Sequence, residues 1–165
     1  MNKLILALST VATLMTTQAH AQHVIRRELS PTDLILQSVK VTPAATMVFV
    51  SGQVASPQSP EKYEVGSKTS VAAFGDTKDQ TISALNKIKI ILSKDGMTMA
   101  DVVKLTIFAA GDPKLGRIDI AAINAGFREF FGTNENPSTV ARSTVQVAAL
   151  VAPEYLVEIE AIAAK

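Results

Sequence analysis

The sequence predicts an α+β fold: a mixed six-stranded sheet with two helices packed on one face, a sandwich of two layers. Three observations lead there. Six runs alternate polar with apolar residues or are rich in strand formers, as half-buried strands do. Two longer stretches repeat apolar residues at three- and four-residue steps, as amphipathic helices do. The order is strand-strand-strand-helix-strand-helix-strand-strand, so the helices interrupt the strands and fall together on one side.

Residues 1–21 are set aside first. Met1–Lys3 is a short basic start, residues 4–15 are apolar and uncharged, and Ala19-His20-Ala21 is a small-residue cleavage site. This is the layout of a secretory signal peptide, with cutting expected after Ala21 and a periplasmic or secreted mature protein. The apolar run is short for a bilayer span, so no membrane association is expected after cleavage. Residues 22–165 then form a single domain. With 47% hydrophobic and 19% charged residues, the 165-residue chain has ordinary globular composition.

The first strand covers 23–29 and is broken by Ser30-Pro31-Thr32-Asp33. Strands at 34–41 and 46–53 follow, separated by Thr42-Pro43-Ala44-Ala45. The third ends in Ser51-Gly52-Gln53, where glycine allows close approach of backbone or ligand. Residues 54–75 form a long polar connection, either rimming a pocket or inserted on the surface. Thr77 and Gln80 have capping-box spacing and predict a helix start, with a stripe of Ile82, Leu85, Ile88 and Leu92 and an end at Gly96. The strand at 101–110 places Val103, Leu105 and Ile107 on one face. A second helix, from Lys114 or Arg117 to Phe131, has the stripe Ile120, Ile123, Phe127 and Phe130, with Asn124 beside it.

The last two strands, 140–149 and 155–163, are joined by a short linker containing Pro153, which suits a hairpin. In the first, Arg142, Thr144 and Gln146 share one face; in the second, Leu156, Glu158, Glu160 and Ile162 share one face. Keeping the apolar rows together puts Arg142 and Glu158 on the same side of adjacent strands, the side away from the helices. From spacing alone, an exposed, solvated sheet face is the favoured account of such residues.

Composition removes several chemistries. There is no cysteine, hence no disulfide, thiolate nucleophile or cysteine-bound metal. Once residues 1–21 are gone only His23 remains of the two histidines, too few for a catalytic triad or a multi-histidine metal site within one chain. The segment also takes one Lys and no acid, leaving 15 basic and 15 acidic residues. With no basic run and 5% aromatics, a nucleic-acid groove is not expected.

The stretch Val140-Ala141-Arg142-Ser143, continued by TVQVAAL and then by YLVEIEAIA, resembles the carboxy-terminal signature of the YjgF/RidA family of enamine/imine deaminases. Ser51-Gly52-Gln53 is similar to that family's S-G-Q segment, and INAGFREFF to its asparagine-bearing helix. The resemblance implies a chorismate-mutase-like fold and a homotrimer with ligand clefts between subunits. It implies hydrolysis of 2-imino and 2-aminoacrylate-type acids to 2-oxo acids and ammonia, without metal or cofactor. Arg142 would hold the substrate carboxylate and Glu158 would orient or deprotonate water. Gly52, Ser51, Thr144, Asn124 and Phe127 would lie beside the ligand, although Phe127, as a stripe member, also reads as core. Ile35 stands where the family often has a tyrosine, and Thr144 where it often has a cysteine. A non-catalytic binder of small carboxylates, or a holdase, on the same scaffold is the second reading. An endoribonuclease is the third.

Overall fold

A computed structural model describes residues 23–28, 30–60 and 70–165. The elements are β1 (Val24–Arg27), β2 (Ser38–Val41), β3 (Met47–Val54), α1 (Thr77–Ser93), β4 (Val102–Ala109), α2 (Ile120–Phe127), β5 (Ala141–Gln146) and β6 (Val157–Ala164). The expected order of elements and the α+β class are both observed. The six strands do not form one sheet, however. β3, β6, β4 and β5 make a four-stranded sheet in that spatial order, and β1 and β2 make a separate two-stranded sheet. Residues 1–21, expected to be a signal peptide, and residues 61–69 of the long connection lie outside the described residues.

The separation of the small sheet has a local cause. The register of β4 against β6 shifts between Val102 and Lys104. Val103 therefore leaves the face expected for it and joins Val24 and Ala164 in a satellite cluster, with Val39, Val41 and Ile162 packed against it. Arg26 fastens β1 by donating to the carbonyls of Ala100 (2.7 Å) and Val102 (3.1 Å). The β1–β2 pair thus lies across one end of the large sheet instead of extending it.

Both helices cover the other face. From α1, Ala84, Leu85, Ile88 and Leu92 are fully buried; from α2, Ile123 and Phe127 are. They pack on Leu105 and Ile107 of β4 and on Ile159, Ala161 and Ala163 of β6. The capping box forms one residue earlier than its expected pair. Asp76 is the N-cap and Asp79 answers it, because Thr77 and Gln80 point into the protein. Gln80, buried outright, instead donates to the carbonyls of Gly75 and Glu154 and accepts from the Leu156 N–H. The second helix is shorter than expected, since residues 112–117 fold as a turn closed by the Asp112–Arg117 bridge. Asp119 caps the helix, which leaves Ile120 outside the stripe and 41% exposed.

The expected hairpin between the last two strands is absent. β4, α2 and β5 form a strand-helix-strand crossover, so β5 returns parallel to β4, while β6 lies antiparallel on β4's other side. The linker crosses the end of β4, where the Val147 N–H donates to the Ala109 carbonyl and the Ala110 N–H to the Leu156 carbonyl. Leu156, expected on the uncovered face, is 2% exposed in the main core.

Candidate functional site

Arg142 is opposite Leu105 in the parallel ladder, so it points to the helix side of the sheet. Its Nη2 donates to Asn124 Oδ1 at 2.7 Å. Its guanidinium carbon lies 4.7 Å from the centre of the Phe127 ring, a cation–π arrangement. Phe127 is fully buried and stacks on Phe131, with centroids 4.6 Å apart. Asn124 and Phe127 are three residues apart on α2 and so present together. One helix turn therefore supplies both a floor and an acceptor for the guanidinium. Phe127 is at once core and site wall.

The depth of that turn depends on Gly126. A Cβ there would stand 2.8 Å from Cβ of Thr81, so only glycine lets α2 sit this close to α1.

This cluster has donors to spare. Arg142 Nη1 and Thr144 Oγ1 are both buried with no hydrogen-bond partner. Thr144, two residues along the strand, points to the same side. Among the described residues the ion pair is Lys78–Glu129 at 3.1 Å, and Arg142 has no acid partner. Burial holds the Arg142 guanidinium below its ordinary pKa, and the neighbouring Arg128 adds to the effect. A partly buried cation with a second cation nearby and unsatisfied donors is a place for an anion.

Glu158 belongs to a different cluster. It is opposite Phe108 of β4, on the face away from the helices. The register of β3 against β6 shifts between Val50 and Gln53, which makes a bulge at Ser51-Gly52. A Cβ on Gly52 would run into the Glu158 carboxylate, so the carboxylate occupies the space that glycine leaves. Ser51 is exposed and borders a depression of about 270 Å³ with Phe49, Lys104, Thr106, Glu160 and Ile162. Much of this face is apolar and open: Phe49 is 71% exposed, Val145 44% and Met47 43%. Lys104 donates to Ser143 Oγ at 2.8 Å in its midst.

The predicted site residues thus fall into two groups. Arg142, Thr144, Asn124 and Phe127 come together under α2; Glu158, Gly52 and Ser51 come together on the open face. The expectation that Arg142 and Glu158 share a side of adjacent strands is corrected, for β4 runs between their strands and they point to opposite sides. The alternation within each strand was read correctly; the error lay in taking the strands as neighbours. As an edge strand, β5 can keep polar side chains towards the helix layer, because its outer border meets solvent. Arg128 was missed as a neighbour of Arg142. Its signal was spacing, four residues after Asn124 on the same helix face.

The profile of the Endoribonuclease L-PSP family matches residues 33–165. The chain is 36% identical over 127 residues to a RutC family protein of Haemophilus influenzae, covering 77% of this chain and 85% of that one. The chain belongs to the YjgF/RidA family. It is also 34% identical over 119 residues to a 2-iminobutanoate/2-iminopropanoate deaminase of Escherichia coli K12, covering 72% of this chain and 80% of that one. Among solved structures, Escherichia coli TdcF with bound serine superposes with a TM-score of 0.53 at 33% identity, covering 76% and 84% of the two chains.

Within this RidA-family chain, the segment holding Ile35 runs beside the start of β5. The N–H of Leu36 donates to the Val140 carbonyl at 2.9 Å, two residues before Arg142. Ile35 is half-buried there and carries no hydroxyl.

Proposed function

We propose that this protein hydrolyses 2-imino and 2-aminoacrylate-type acids to 2-oxo acids and ammonia, in clefts between copies of itself. One observation carries the reading. Arg142 and Glu158 stand on opposite faces of one sheet, each in a prepared setting, so a site holding both needs a second copy. The exposed apolar residues Phe49, Met47 and Val145 favour such self-association through the open face. A homotrimer closed around that face would bring Glu158 of one copy to the Arg142 cluster of the next.

In such a cleft Arg142 takes the substrate carboxylate through charge-assisted hydrogen bonds, with Thr144 as a further donor. The site must open by a side-chain movement for the buried Nη1 to reach it. Gly52 and Ser51 bring backbone close to the ligand, and Asn124 and Phe127 keep the guanidinium in place. Glu158 removes a proton from water as it attacks the imine carbon. The tetrahedral carbinolamine then loses ammonia, with the proton returned to the departing nitrogen. A protonated imine is already electrophilic, so positioning and proton transfer suffice. The amino-terminal pattern of residues 1–21 supports export of the enzyme, which Edman sequencing of the protein from a periplasmic or culture fraction would check by a start at Gln22.

The test is subunit complementation. Ammonia release is followed from imines made in situ by an amino-acid oxidase. Arg142→Ala and Glu158→Gln should each lose activity by about 100-fold or more. Refolded together in equal amounts, they should regain about a quarter of wild-type activity, the share of clefts that random mixing leaves intact. No recovery from the mixture would show that the two residues do not act across an interface. Carboxylate binding by a wild-type protein that turns over no imine would favour the second reading, a small-carboxylate binder.

A further inference from the structure

We propose that the site selects 2-imino acids bearing a second carboxylate, one carboxylate on Arg142 and the other on Arg128. The reaction rests on the deaminase reading above; the binding preference stands apart from it. Asn124, which holds Arg142, and Arg128 are one turn apart on α2, and the Arg128 N–H closes that turn on the Asn124 carbonyl at 3.1 Å. Residues so spaced share a helix face, their Cα atoms separated by about 6 Å. The Arg142 guanidinium, held by Asn124, and the side chain of Arg128 thus belong to the same side of α2, and each feels the other's charge. A short aliphatic dicarboxylate is the anion whose charges match this pair.

Among the described residues, neither Arg142 nor Arg128 makes an ion pair. Arg128 borders a cleft of about 490 Å³ whose wall includes Leu34, Thr139, Glu28 and Asp33. Asp33 is engaged locally, accepting from the Ser30 N–H at 2.9 Å. Burial and then Arg128 hold the Arg142 guanidinium below its ordinary pKa, as expected of like charges placed close together. A monocarboxylate would relieve one of these cations; a dicarboxylate would relieve both.

The experiment is titration calorimetry at low salt with 2-oxoglutarate and 2-oxobutanoate, product analogues with two carboxylates and one. The wild-type protein should bind 2-oxoglutarate about tenfold more tightly or better, the scale of one additional charge-assisted contact. In Arg128→Gln the ratio of the two dissociation constants should fall towards one, and in Arg128→Lys, which keeps the charge, most of it should remain. Equal affinities in the wild type, or a preference that survives Arg128→Gln, would overturn the proposal. Its failure is distinct from that of the deaminase reading. A dicarboxylate preference in a protein that hydrolyses no imine would leave the two-cation site standing and remove the enzyme. Turnover with no such preference would do the reverse.

Discussion

Arg142 lies against a helix, and Glu158 lies against a glycine. The first is held by side chains: an aromatic floor from Phe127, an acceptor from Asn124, and a helix kept close by Gly126. The second is held by backbone: a bulge at Ser51-Gly52 leaves a slot that the carboxylate fills. A guanidinium is large, planar and costly to desolvate, so it needs a built cradle. A carboxylate that handles a water molecule needs access and a fixed direction, which an open face beside a rigid strand supplies. On the proposed deaminase reading, the contrast means that binding and proton transfer are assembled separately in this chain. They should therefore be separable by substitution.

The largest expected effect is on the proton-transfer side. Glu158→Gln should lower imine turnover by roughly 10²- to 10⁴-fold, the usual contribution of a positioned acid–base group. Affinity for 2-oxobutanoate should be little changed, and a parallel loss of binding would join what the structure separates. Next comes Gly52→Ala, which adds no charge and removes none. By displacing the Glu158 carboxylate it should cost about 10- to 100-fold in kcat with Kd for the oxo acid retained, as expected of a misplaced catalytic group. Turnover equal to wild type would mean that the slot does not set the carboxylate's position.

Asn124→Asp acts on the binding side alone. A carboxylate in place of the amide would pair with Arg142 internally and compete with the ligand. Affinity for 2-oxobutanoate should fall about tenfold, read by calorimetry, while thermal stability holds or rises slightly. The smallest effect is on stability and has the opposite sign from the effect on function. Arg142→Met removes a buried donor that has no partner and keeps most of the packing on Phe127. The melting temperature should rise by about 2–4 °C as ligand binding disappears, the shift that about 1 kcal/mol produces in a domain of this size. A lower melting temperature would indicate that the Asn124 bond and the ring contact outweigh the unsatisfied Nη1.

Most of the elements could be read from local pattern, since period two and period 3.6 are properties of short segments. That is why β3, α1, β4 and β6 appear close to where alternation and stripes place them. Errors gathered where a segment's role depends on a distant one. Val103 follows the alternation of β4 on paper, but a register shift turns it towards Val24, nearly eighty residues earlier. Thr77 and Gln80 have the spacing of a cap, yet Gln80 is drawn inward by Glu154 and Leu156. Ile120 fits the stripe of α2, but the Asp112–Arg117 turn starts the helix too late to bury it.

The candidate residues followed the same rule. Sequence alone determined which chemistry is available: one arginine on an alternating strand, glutamates on another, a glycine at a strand end, and neither cysteine nor a usable set of histidines. Side-chain identity and parity along a strand are written in the chain itself. Which strand lies beside which is not, because pairing is decided by how α2 carries the chain from β4 to β5 and by what each face can bury. That choice alone put Arg142 beneath a helix and Glu158 on the open side, and so turned one expected site into two halves.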